Sequence, residues 1–154
     1  MQAKFKIKDR GATPRGFRRV FSAASKDSWF ETAFYFHATL RDNRFTHKHA
    51  REAGYGERKK SYTERKFRQH GHTYPLVFSG ATRRKMATAN ITSTKDYGRA
   101  SYRAARLLNF RHPASKLNHA KEFKTVTQRE ADNLTRVYDE HLDKLLKQDN
   151  GDNR

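Results

Sequence analysis

"ATANITSTKDYGRASY" (Ala87 to Tyr102) is the stretch on which the fold turns. Ala87–Thr94 is rich in threonine, whose branched side chain suits a pleated, half-covered surface. "KDYG" (Lys95–Gly98) has turn composition, and the chain returns through "RASYRAARLLNF" (Arg99–Phe110), whose first half is the partner of the outgoing strand. A hairpin places its strands antiparallel without a crossover. With helical patterns on either side, that predicts an α+β fold: a small antiparallel sheet with a hairpin, packed by an N-terminal helix and a C-terminal amphipathic helix.

Downstream, "RHPASKLNHAKE" (Arg111–Glu122) reads as a loop and "EFKTV" (Glu122–Val126) as a short strand. "TQRE" (Thr127–Glu130) is a capping box, with Val126 placed to staple Ala131. Leu134, Val137, Tyr138, Leu142, Leu145 and Leu146 then form one apolar stripe, opposite Arg136, Asp139, Glu140, Asp143 and Lys144. This helix should reach about Lys147, leaving residues 148–154 as a flexible tail.

Upstream, "HTYPLVFSGATRRKMA" (His72–Ala87) opens with Pro75, which disfavours helix before it. "LVF" predicts a short buried extended segment, and Ser79-Gly80 a turn. "SYTERKFRQHGH" (Ser61–His72) predicts a short helix capped by Ser61 and Glu64 and stopped by Gly71, with Tyr62 and Phe67 tucked down. "SWFE" (Ser28–Glu31) predicts another capping box. It would open a helix whose Phe30, Ala33, Phe34, His37 and Leu40 form an aromatic face, with His37 a packing residue rather than a catalyst. Residues 1–27 read as a basic arm or as edge strands ("AKFKIK", "FRRVFSAAS"), so the domain is placed at residues 28–147.

Composition bounds the rest. Of 154 residues, 34% are hydrophobic, and eleven Phe, seven Tyr and one Trp make up much of that share. Such a chain is a lean monomer or a subunit that completes its burial against neighbours. The net charge is +18, and residues 1–120 carry 27 of the 34 basic side chains but only eight of the sixteen acidic ones. That field attracts polyanions or an acidic protein surface. No apolar run approaches the roughly eighteen residues of a membrane span, and the charged N-terminus lacks a secretory apolar core. The absence of cysteine excludes disulfides and thiolate chemistry.

Site motifs are weak. His47, His49, His70 and His72 lie among lysines and arginines that repel a dication, so no metal is expected. "NHAKE" (Asn118–Glu122) is too short to specify a metal-dependent nuclease. "GYGERKK" lacks the spacing of a phosphate loop, and Ser79 lacks an acid–base partner nearby in sequence. Carboxylates are too scarce before residue 120 for paired-acid hydrolysis. The expectation is a non-enzyme without cofactors. Aromatics interleaved with Arg and Lys in "YTERKFRQHGHTY" and "DYGRASYRAARLLNFRH" keep a basic nucleic-acid-binding protein, ribosomal or nucleoid-like, as the alternative.

One resemblance joins these pieces. Pro75, Leu76, Ser79 and Gly80 with Arg83 and Arg84, then "NFRH" (Asn109–His112), then Glu122, Phe123, Val126, Thr127 and Glu130, form a series of motifs. The series resembles the tail-completion and virion-morphogenesis proteins of tailed bacteriophages, neck components where head meets tail. It covers roughly residues 55–147. Ala81 and Thr82 depart from the family's aliphatic residue before the arginine. The resemblance implies an α+β subunit acting as a ring, typically a hexamer, that completes the tail or seals the head connector without catalysis. It would be located in the virion after assembly in the host cytoplasm. Implied partners are other copies, neighbouring connector and tail-tube proteins, and transiently the packaged DNA. Arg65, Lys66, Arg68, Arg83, Arg84, Lys85 and Arg111 are then the candidates for subunit-facing or DNA-facing positions.

Overall fold

The structure is a computed structural model that describes residues 14–109 and 116–151. Its elements are α1 (Pro14–Tyr35), a π-turn (Phe36–Leu40), a 3-10 turn (Asp42–Phe45), α2 (His47–Glu52), α3 (Lys60–His70) and α4 (Ala81–Lys85). They continue with β1 (Asn90–Ser93), β2 (Gly98–Ser101), a 3-10 turn (Arg103–Leu108), α5 (His119–Lys124) and α6 (Gln128–Gly151). The class is α+β, with a long N-terminal helix and a long C-terminal helix beside one antiparallel hairpin.

The hairpin pairs Asn90 with Ser101, Ile91 with Ala100, Thr92 with Arg99 and Ser93 with Gly98. Thr94 closes the turn: its amide donates to the Tyr97 carbonyl at 2.8 Å, and its hydroxyl accepts from the amides of Asp96 and Tyr97. Ile91, Ser93, Gly98 and Ala100 are half-buried and alternate with the exposed Thr92 and Arg99. The small inner side chains let the strands lie close on α1. A Cβ on Gly98 would stand 2.1 Å from the Trp29 carbonyl oxygen and 3.0 Å from the Ala33 Cβ, so only glycine fits there.

Residues 14–27 are neither arm nor edge strand but the first half of α1, which crosses the expected boundary at residue 28 without a break. Residues 1–13, with "AKFKIK", lie outside the described residues. Ser28 is not a cap: its hydroxyl donates to the Ala24 carbonyl at 2.8 Å, and Thr32 does the same to Ser28. This i to i−4 bonding lets hydroxyl residues sit buried in a helix interior.

Two regions bury side chains. In the first, Phe45, Val77, Met86, Leu108 and Phe123 form the apolar core, joined by Leu76, Tyr102 and Ala120. In the second, α1 lies between the hairpin and α6. Ser25 is the junction: its hydroxyl donates to the Lys95 carbonyl at 2.6 Å and lies 2.8 Å from the Tyr138 hydroxyl. The Trp29 and Tyr138 ring centroids are 4.6 Å apart. The start of α6 sits beside the segment following α1 and Tyr138 reaches back to Ser25, so the two helices run antiparallel.

Other boundaries differ locally. "EFKTV" is no strand: Glu122–Lys124 complete α5, and the Asn118 side chain caps that helix by accepting from the Lys121 amide at 3.0 Å. "LVF" is not extended, because Leu76 adopts a left-handed φ of 56°, which is strained for a branched side chain. Pro75 and Val77 are buried, but Phe78 is exposed. α3 ends at Gly71 (φ 70°) as expected, although no side chain caps its start at Lys59. α6 continues through residue 148 to Gly151, past the expected end at Lys147.

Candidate interaction surfaces

The acidic positions of the motif series turn inward. Thr127 and Glu130 form the expected capping box: the Glu130 amide donates to the Thr127 hydroxyl and the Thr127 amide to Glu130 Oε2 at 3.1 Å. The other carboxylate oxygen of Glu130 takes a short ion pair from Arg44 Nη1, whose residue is wholly buried. His49 Nδ1 lies 3.4 Å from that oxygen, and the Arg44 guanidinium sits 4.9 Å from the Phe36 ring centroid. Burial, then the Arg44 charge, holds His49 below the usual histidine pKa, so it is the neutral member of the group. Burial pushes the Tyr55 hydroxyl up, and that hydroxyl donates to the Arg44 carbonyl at 3.3 Å. Arg44 Nε and Nη2 have no partner among the described residues.

Glu122 is the second inward carboxylate. It is gripped by both terminal nitrogens of Arg58, one at 2.8 Å, and accepts from the Gly56 amide at 2.9 Å. Phe123 beside it is core. These residues tie the segment before α3 and the segment after α1 to the C-terminal helices. Both oxygens of each carboxylate are taken by these partners.

Lys66 also departs from expectation. It is 4% exposed, so it lies beneath the surface rather than on it. Its ammonium donates to the Tyr74 carbonyl and lies 5.8 Å from the Tyr62 ring centroid, and burial lowers its pKa to about 8. The spacing of Tyr62, Lys66 and His70 on α3 gives the reason, since i, i+4, i+8 positions share one face. Arg65, Arg68, Arg83, Arg84 and Lys85 are exposed. Arg83 Nη2 lies 3.6 Å from Asp42 Oδ2. Ser79 is exposed and Gly80 (φ 79°) precedes α4. Arg111 lies outside the described residues.

The first histidine pair separates. His49 belongs to the Arg44–Glu130 group, whereas the His47 Nε2 contacts the Thr73 hydroxyl at 3.0 Å. Among the described residues, no three His, Asp or Glu side chains gather in a way that could hold a metal ion. His37 packs against Tyr102, 3.3 Å from its hydroxyl.

Instead, rings gather around α3 and the 72–78 loop. His47, Tyr74, His72, His70, Phe78 and Tyr62 follow one another with successive centroid distances of 5.6, 5.4, 6.1, 4.6 and 6.2 Å. Arg65 stands 5.8 Å from the Tyr62 centroid at one end. The interleaving of rings and cations is legible in sequence, but the order of the rings in space is not, because it depends on how the loop folds back over α3.

The second surface does not emerge from the sequence motifs. On α1, Ser25, Ser28, Thr32, Ala24 and Ala33 are buried, while Phe17, Phe21, Phe30 and Phe34 remain 40 to 57% exposed. The expected aromatic face is therefore divided: Ala33 and Leu40 go inward, Phe30 and Phe34 outward. A row of small and hydroxyl residues at helical spacing was the available signal.

No family model, curated protein or solved structure matches this chain. Among the described residues, no helix is long and apolar enough to cross a membrane.

Proposed function

We propose that this chain is a structural subunit of a tailed-bacteriophage neck, forming a ring that completes the tail or joins it to the head connector. The observation that carries the proposal is the outward aromatic display of α1. A helix that buries serine and threonine while exposing four phenylalanines leaves apolar area for another protein surface. A subunit that docks on its own copies through two different surfaces closes into a ring when the rotation between copies divides a full turn, and a lean internal core is then completed by neighbours. The motif series from Pro75 to Glu130 adds the resemblance to neck proteins. The exposed Arg65, Arg68, Arg83, Arg84 and Lys85 supply charge complementary to an acidic connector or to packaged DNA. On this reading the protein acts by docking in the virion, without substrate turnover, cofactor or membrane.

Light scattering tests it. The purified chain, or the chain mixed with connector and tail-tube proteins, is expected at a multiple of its 18.1 kDa mass. Phe30→Asp with Phe34→Asp should return it to monomer with its helical circular dichroism intact. A wild-type chain that stays monomeric in every mixture refutes the proposal.

A further inference from the structure

We propose that the ring ladder over α3 is a binding surface for single-stranded nucleic acid. The inference is independent of ring assembly.

Three observations carry it. First, the six rings from His47 to Tyr62 form one contiguous series drawn from α2, α3 and the loop between α3 and α4. Second, the series is only partly covered. His47 is exposed, Tyr74 is 48% exposed and Phe78 42%, while Tyr62, His70 and His72 are half-buried behind them. The inner rings fix the outer ones, so little side-chain freedom is lost when a planar ligand stacks. Third, cations flank both ends: Lys48 and Arg51 are exposed on α2 beside His47, and Arg65 is exposed on α3 beside Tyr62. The acidic side chains of these helices are Glu52 and Glu64, the latter 4.0 Å from the Lys60 ammonium.

The chemistry selects the ligand. Guanidinium and ammonium groups alone would accept any polyanion, including an acidic peptide, but such a peptide gains nothing from ring faces. A duplex offers phosphates while its base faces are already stacked on one another. Unpaired bases on a phosphate backbone use both features, and stacking on aromatic side chains tolerates any sequence. Lys66 takes no direct part: it holds the loop through the Tyr74 carbonyl and so positions Tyr74.

Fluorescence anisotropy of the full chain tests this with a labelled oligothymidine of about fifteen nucleotides. The competitors are an abasic strand of equal length, a duplex and an oligoglutamate. Oligothymidine should bind about ten-fold or more tighter than the abasic strand. Tyr74→Leu with Phe78→Leu keeps apolar bulk but removes the ring faces, and should erase that margin while leaving abasic binding unchanged. Arg51→Ala with Arg65→Ala, one exposed cation at each end of the ring series, should reduce the slope of log affinity against log salt by about 0.7 for each phosphate that is no longer neutralised. Equal binding of oligothymidine and the abasic strand overturns the proposal. So does a margin that survives the leucine pair, or tighter binding of duplex or oligoglutamate. Circular dichroism checks the fold of each variant. If the leucine pair does not fold, the abasic comparison and the arginine pair decide.

Discussion

The core around Phe45 and Phe123 and the seam between α1 and α6 bury their residues by opposite rules. The core takes large apolar side chains, and its segments are tied by a buried ion pair, Arg44–Glu130, and a half-buried one, Arg58–Glu122. The seam takes Ala24, Ser25, Ser28, Thr32 and Ala33, with hydroxyls bonded within α1 or across to the hairpin and α6. The core holds the segments that carry Phe45, Val77, Met86, Leu108 and Phe123 together through side-chain volume. The seam brings three backbones close and leaves the bulk of α1 facing outward. Large side chains therefore stabilise the monomer in one region and remain available for a partner in the other.

The largest test of that contrast is Glu130→Ala. It strands the Arg44 guanidinium in the core, at a cost of about 3–5 kcal/mol, and removes the acceptor of the Thr127 amide, the reciprocal half of the α6 capping box, for about 0.5–1 kcal/mol more. Urea unfolding should show the combined loss, and a loss under about 1 kcal/mol would mean that Arg44 reaches water. Next comes a pair of identical truncations. Phe45→Ala should cost about 3–5 kcal/mol, whereas Phe34→Ala should change monomer stability by less than about 0.5 kcal/mol. Similar losses at both sites would erase the distinction between the regions.

The smallest effect concerns Lys66. Its folded-state pKa of about 8 lies below the unfolded value near 10.4, so between these values the unfolded chain holds the extra proton. Stability conferred by deprotonation is absent below about pH 8 and grows as pH rises toward about 10. Lys66→Met should remove that rise. The check is the urea midpoint of each protein at about pH 7.5 and about pH 9.5, and parallel profiles would place the Lys66 ammonium in solvent.

Local chemistry was readable where neighbours in sequence complete it. The Thr127–Glu130 box, the Gly71 stop and the hairpin turn at Lys95–Gly98 each close within a few residues, and each stands in the structure. Ser28–Glu31 has the same box pattern but lies inside α1, because the preceding residues also adopt helix and leave no free amides to cap. "EFKTV" has strand composition, yet Asn118 starts a helix upstream of it. The candidate cations divided likewise: Arg65 and Arg68 stayed outside, while Lys66 between them was turned under by the spacing of α3.

By itself, the sequence settled the α+β class, the end of α3, the start of α6, the hairpin and the excess of positive charge, since these follow from short-range bonding and from counting. Only the tertiary structure decided which face of α1 is inside, that Glu122 and Glu130 are buried partners of Arg58 and Arg44, and that six rings form one series. The reason is physical. Burial depends on which distant segments arrive on each face, and a row of serine and alanine becomes an interior only once the hairpin and α6 close over it.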